Sequence, residues 1–144
     1  MTAMTEPIGL AEGRPFTVHD LEVMPDDGRR YEIIDGMLLV TPASGWSHQE
    51  MSLTLYRVLH AMCPPRLRVL AAPFALQTAL TSEVQPDVLV ARYDDLTEAC
   101  LPVAPLLVVE TLSRSTQLND RNTKKAHYER LEVPSYWLLN PVQP

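Results

Sequence analysis

Gln85-Pro-Asp-Val-Leu-Val-Ala-Arg-Tyr93 and Pro105-Leu-Leu-Val-Val-Glu-Thr-Leu-Ser113 decide the reading of this 144-residue chain. Residues 88–91 and 106–109 are nearly unbroken apolar runs, the pattern of strands covered on both faces. Each stretch also carries one carboxylate, Asp87 or Glu110, with no opposite charge beside it. An ionised carboxyl in a buried strand costs several kcal/mol, to order of magnitude, unless it is paired or metal-bound. If the strands are neighbours, two like charges about 4 Å apart repel by roughly 4 kcal/mol at an effective dielectric of about 20. A divalent cation between them would turn that penalty into a ligand set, and oxygen-only ligands suit Mg²⁺ or Mn²⁺ rather than zinc. Either carboxylate alone is as readily a residue at a strand end entering a loop. The two together favour a site.

Working outward, Asp35-Gly36 lies between two β-rich runs and suits a two-residue hairpin turn, predicting strands at 30–34 and 37–41. Glu32 is a third acid, on the opposite strand face from Tyr31 and Ile33, where a lone glutamate more often meets solvent. Thr17-Val-His-Asp20 has the form of a capping box, and Pro25 with Asp26-Asp27-Gly28 halts the short helix it opens. Ser47-His-Gln-Glu50 is a second such box. Behind it Met51, Leu55, Val58, Leu59 and Met62 form a helical stripe that ends at Pro64-Pro65. His48 shares that stripe, so its ring points toward the sheet, as a core histidine or a catalytic one.

Residues 66–78, 83–93 and 105–113 read as strands, 114 to about 131 as a helix, and 135–140 as a last strand. The order α-β-β-α-β-β-β-α-β is an α/β chain, a mixed β-sheet flanked by helices. Residues 1–15 lack periodicity and are expected to be a flexible arm, with 16–144 a single domain.

Composition narrows the function. Twelve basic and eighteen acidic residues give a net charge of −6, which argues against nonspecific coating of nucleic acid, so DNA contact must be local or metal-assisted. Two cysteines without a CxxC pattern hold neither zinc nor a disulfide framework. No apolar run reaches the length of a membrane helix, and the start lacks the features of a signal peptide, so the expectation is a cytoplasmic chain with no membrane contact. The one dense basic segment is Arg114, Arg121, Lys124, Lys125 and Arg130, suited to phosphates. Within it Asp120, Lys124 and Tyr128 recur every four residues. Lys124 is then either half of a surface pair with Asp120 or a lysine reaching into the acidic site.

In order and spacing, Tyr31-Glu-Ile-Ile-Asp-Gly36, His48, Ala72-Pro-Phe74, Gln85-Pro-Asp-Val88, Pro105 through Glu110, Leu112-Ser113, Ser115-Thr116, Asp120, Lys124, Tyr128 and Tyr136-Trp137 resemble the Uma-type restriction-endonuclease family, a branch of the PD-(D/E)XK nuclease superfamily. The resemblance spans roughly 16–141. It implies a restriction-endonuclease-like fold and Mg²⁺-dependent hydrolysis of phosphodiester bonds, with DNA as the substrate. Carried over, Asp87, Glu110 and Glu32 are the metal set, and His48 matches a family position of unassigned role. Leu112 stands where orthodox members place a lysine, which makes Lys124, on the following helix, the candidate. Ser113-Arg114 replaces the usual serine-proline and Asn140 the usual aspartate. Family members usually continue beyond the equivalent of Pro144, so truncation of the sheet is one expectation, and a homodimer another. Two alternatives stand beside a nuclease. One is a catalytically inactive module binding nucleic acid or a protein partner, and the other a structural oligomer in which Asp87 and Glu110 lie far apart.

Overall fold

A computed structural model describes residues 13–113 and 120–141. Helix α1 (Val18–Glu22) precedes the hairpin β1 (Arg30–Ile34) and β2 (Met37–Thr41), followed by α2 (Trp46–Met62). Strands β3 (Leu67–Ala71), β4 (Ala75–Ala79), β5 (Ser82–Val84), β6 (Val88–Arg92), β7 (Cys100–Leu101) and β8 (Leu107–Thr111) come next. A π-helical turn (Asp120–Lys124) leads into α3 (Lys125–Arg130), and β9 (Ser135–Leu139) closes the order. The α/β class is as expected. The hairpin also has the expected limits, with Asp35 and Gly36 both at positive φ, 49° and 80°.

The strands do not form one sheet. A five-stranded sheet runs β2-β1-β5-β4-β7 and a four-stranded one β3-β6-β8-β9. The runs 66–78 and 83–93, read as single strands, each break at a proline-containing turn, at 72–74 and 85–87, and send their halves to different sheets. Proline has no N–H for a ladder, and it restricts the residue before it, so these are the points where a strand can leave one sheet for another. The short β7, within the loop expected between 93 and 105, adds a parallel pairing with β4.

Strands β6 and β8 are the middle of the smaller sheet, antiparallel with Val88 opposite Val109 and Val90 opposite Leu107. Both faces are covered, which is why their runs are unbroken. Val88, Leu107 and Val109 pack with Leu55, Tyr56 and Leu59 of α2. Leu89, Ala91 and Val108 pack with Ile34, Leu76 and Val84 of the larger sheet and with Tyr128 of α3. The second cover is thus mostly a sheet rather than a helix.

Two local readings shift. Helix α2 is capped by Gly45, so Ser47 and Glu50 lie inside it and do not form its cap. Its packed face runs through Ser52, Leu55, Tyr56 and Leu59, while Val58 and Met62 of the expected stripe are exposed. Residues 1–12 of the expected arm lie outside the described residues. Arg14 is anchored, its guanidinium pairing with Asp20 at 2.7 Å, and Phe16 donates its N–H to Gly36. Among the described residues no helix is long and apolar enough to cross a membrane.

Candidate active site

The β6–β8 register, extended one residue past Val88 and Val109, brings Asp87 opposite Glu110. Both are buried. The Thr111 N–H donates to Asp87 Oδ2 at 2.7 Å, which ties the Asp87 carboxylate to the strand carrying Glu110. A cavity of about 250 Å³ opens over them, lined by Arg30, His48, Asp87, Glu110, Thr111 and Lys124 among others. The two carboxylates therefore do not lie far apart, the arrangement expected of a structural oligomer. Strands β1, β6 and β8 and helix α2 converge here, together with the π-helical turn that carries Lys124.

Asp87 is held by donors. Arg30 Nη1 donates to Oδ1 at 3.0 Å, and His48 Nε2 lies 3.3 Å from Oδ2. Burial alone would raise its pKa, but the His48 hydrogen bond, the Arg30 charge and the Thr111 N–H outweigh it and bring the group to about 2. His48 thus faces the sheet as its stripe implied, and its Nδ1 is buried without a hydrogen-bond partner. Ser52 Oγ meets Thr111 Oγ1 at 2.7 Å, fixing α2 against β8 one turn beyond His48.

Glu110 has different surroundings. Tyr128 OH donates to Glu110 Oε1 at 2.8 Å, and Lys124 Nζ stands 3.5 Å from the same oxygen. Burial is the main influence and raises the carboxyl to about 8. Lys124 opposes this, while the charges of Asp87 and Glu32 add to it.

Glu32 is wholly buried, not solvent-facing. Its Oε2 accepts the Gln85 N–H at 2.6 Å, and its Oε1 lies 3.0 Å from Lys124 Nζ. Those two oxygens reach toward Gln85 and Lys124 rather than lining the cavity. Lys124 is 2% exposed and bridges Glu32 and Glu110, so it reaches into the acidic site instead of lying on the surface, while the side chain of Asp120 lies outside the described residues. The π-helical turn and α3 put Lys124 and Tyr128 on one face, as their spacing of four required.

The basic segment divides. Lys125 is exposed and 3.7 Å from Glu129, and Arg130 pairs with Asp35 at 2.8 Å. Arg114 and the side chain of Arg121 lie outside the described residues. Sequence reasoning missed Arg30. The signal was available, because residues 30 and 32 of a strand share a face, and Glu32 had already been singled out.

Among the described residues no three His, Cys, Asp or Glu side chains form a ready-made metal cage. The donors present nonetheless fit a hard divalent cation. Asp87 and Glu110 offer carboxylate oxygens on opposed strands at one open cavity, and Mg²⁺ normally takes one or two protein carboxylates and completes its shell with water and phosphate.

Residues 18–144 match the sequence profile of the family Uma2, described as "putative restriction endonuclease". The chain belongs to the Uma2 family. The crystal structure of a "putative nuclease belonging to DUF820" from Anabaena variabilis superposes with a TM-score of 0.72 at 18% identity, covering 88% of this chain and 75% of that one. It shares the fold. No curated protein matches this Uma2 chain. Of the residues quoted for the resemblance, His48, Asp87, Glu110, Ser113 and Lys124 line this cavity, while Glu32 and Tyr128 stand behind it against Lys124 and Glu110.

Proposed function

We propose that this Uma2 chain is a divalent-metal-dependent endonuclease that hydrolyses phosphodiester bonds of DNA. One observation carries the reading: a lysine 2% exposed lies within ion-pair distance of Glu32 and Glu110, beside the Asp87 cavity, with every partner supplied by a different element. Structural need alone gives little reason for such a cluster, since buried ion pairs are often replaceable by apolar groups without loss of stability.

In this reading Asp87 and Glu110 hold Mg²⁺ or Mn²⁺. When bound, the ion lowers the pKa of its water and neutralises charge on the scissile phosphate. Lys124, held by Glu32, points its ammonium at the Glu110 edge of the cavity, where it orients the attacking oxygen and opposes charge developing on the phosphate. Glu32 then acts as the residue positioning Lys124, and as a metal ligand at most through water. His48 keeps Asp87 in place from α2. Tyr128 fixes the Glu110 carboxylate. Lys125, Arg114 and Arg121 are the candidate contacts to flanking phosphates, and cutting both strands calls for two such clefts, which a symmetric pair of copies would supply.

The test is plasmid nicking with Mg²⁺ or Mn²⁺ by wild type and Asp87→Ala, alongside calorimetric titration of Mn²⁺ into both. Wild type is expected to bind and nick, and the variant to do neither. Nicking retained by Asp87→Ala would sink the assignment. A second reading, a non-cleaving module that binds nucleic acid or a protein partner, is favoured by one observation: both Asp87 oxygens already have protein donors. Capture of DNA by a wild type that binds no metal would select it.

A further inference from the structure

The donors on Asp87 raise a specific problem for the proposed metal, and Arg30 resolves it. Among the described residues Arg30 Nη1 makes two hydrogen bonds, to Asp87 Oδ1 and to the Gln85 carbonyl, each at 3.0 Å. A guanidinium also carries donors on Nε and Nη2, in a planar fork that matches the oxygens of a phosphate. Among the described residues neither nitrogen has a partner, and the side chain is 20% exposed on the cavity wall. A second cavity of about 390 Å³ adjoins the first, and Ala71 through Pro73 are in its lining. Arg30, Ser44, His48, Gln49 and Asp87 border both cavities. The Arg30 side chain thus borders open space in both cavities.

The charge balance gives the reason to move. Among the described residues, without a divalent ion Arg30 is the fixed positive charge nearest Asp87, and Lys124 serves Glu110 and Glu32. A divalent cation on Asp87 makes that counter-charge redundant and repels the guanidinium beside it. An incoming phosphodiester brings the negative charge the freed guanidinium then lacks.

We propose that Arg30 is a substrate-phosphate residue which occupies Asp87 Oδ1 in the metal-free protein and hands that oxygen to the divalent ion while turning its fork to the DNA backbone. This rests on the nuclease reading above and adds a residue to it. The exchange keeps Asp87 ionised and aimed before metal arrives, and it couples metal binding to phosphate binding.

The exchange makes a prediction that a merely structural Arg30 does not. Arg30 competes with the metal, so Arg30→Ala should bind Mn²⁺ more tightly than wild type, by about three- to tenfold in calorimetric titration. The same variant should bind a short fluorescein-labelled DNA duplex about tenfold more weakly with Mn²⁺ present, read by anisotropy before cleavage accumulates. The slope of its affinity against salt should fall by about one. If Arg30→Ala does not fold, Arg30→Gln removes the charge while keeping a donor for the Gln85 carbonyl, and the same three readouts apply. Mn²⁺ affinity equal to or weaker than wild type, or unchanged DNA affinity and salt slope, overturns the proposal. A wild type that binds no Mn²⁺ fails earlier, and overturns the metal reading together with this one.

Discussion

Asp87 and Glu110 face each other across two paired strands, yet the protein treats them in opposite ways. On the Asp87 side, a guanidinium, an imidazole and a backbone N–H converge at the cavity wall and hold the carboxylate ionised, with its pKa at about 2. On the Glu110 side the surroundings are a tyrosine and a lysine inside the core, and burial pushes the carboxyl up to about 8. The same ladder thus presents one carboxylate already charged and one that prefers a proton. The lesson is that a strand pair fixes where two carboxylates sit, but the elements packed around it, here β1 and α2 against the π-helical turn and α3, decide their charge.

The largest expected effect comes from removing the cation on the Glu110 side. Lys124→Met leaves Glu32 and Glu110 buried without their shared counter-charge, and taking one partner from a buried ion pair costs about 3–5 kcal/mol. Urea unfolding should register that loss. Nicking by whatever fraction remains folded should fall by on the order of a hundredfold. Adding Glu32→Gln should return much of the stability and none of the cleavage, because it removes the stranded charge without restoring the ammonium. Wild-type stability in the single variant would break the contrast, since Lys124 would then not be holding the buried side together.

The next effect is on pH dependence. Between 4.5 and about 8 the folded, metal-free chain keeps a proton on Glu110 that the unfolded chain has released. That contribution to stability is fully present below 4.5 and drains away as pH rises through 8. Asp87 has the opposite sign. Its contribution is present above its ordinary range and is lost only in acid, as pH falls toward 2. Thermal unfolding in chelator should therefore show a midpoint that declines from mildly acidic to mildly alkaline buffer, and Glu110→Gln should flatten the decline. Because a cation at Glu110 takes the place of the proton, stabilisation of wild type by Mn²⁺ should grow over the same interval. A slope unchanged in Glu110→Gln would mean that another group carries the titration.

How far these differences could be read in advance depends on how local their causes are. The hairpin limits followed from Asp35-Gly36, whose positive φ angles reverse the chain within two residues. The double cover of β6 and β8 followed from their unbroken apolar runs. The division into two sheets did not, because membership is settled by pairings far apart in sequence, such as Ile33 with Glu83 in one sheet and Leu70 with Leu89 in the other. Turns within 66–78 and 83–93 were visible as prolines, but not what lay beyond them. Alternation gave the face of Glu32 and not what covers it. Arg30 stood on that same face, but an arginine opening a strand is ordinarily solvated, and only the approach of Asp87 from the other sheet gives it a role.

The smallest expected effect tests the contrast from outside. Lys125 follows Lys124 directly, yet its side chain is 62% exposed against 2%, and its ion pair with Glu129 is an i,i+4 surface contact. Such pairs contribute about 0.3–0.5 kcal/mol, so Lys125→Ala should barely change urea unfolding. If Lys125 meets a flanking phosphate, the salt slope of DNA binding should fall by about one, while turnover of bound plasmid stays near wild type. The two lysines differ because one residue along a helix is a rotation of about 100°. That rotation carries Lys124 under the sheet and Lys125 out to solvent. A turnover loss in Lys125→Ala as deep as that of Lys124→Met would mean that the reacting phosphate lies on the outer face of α3, not over the cavity between Asp87 and Glu110.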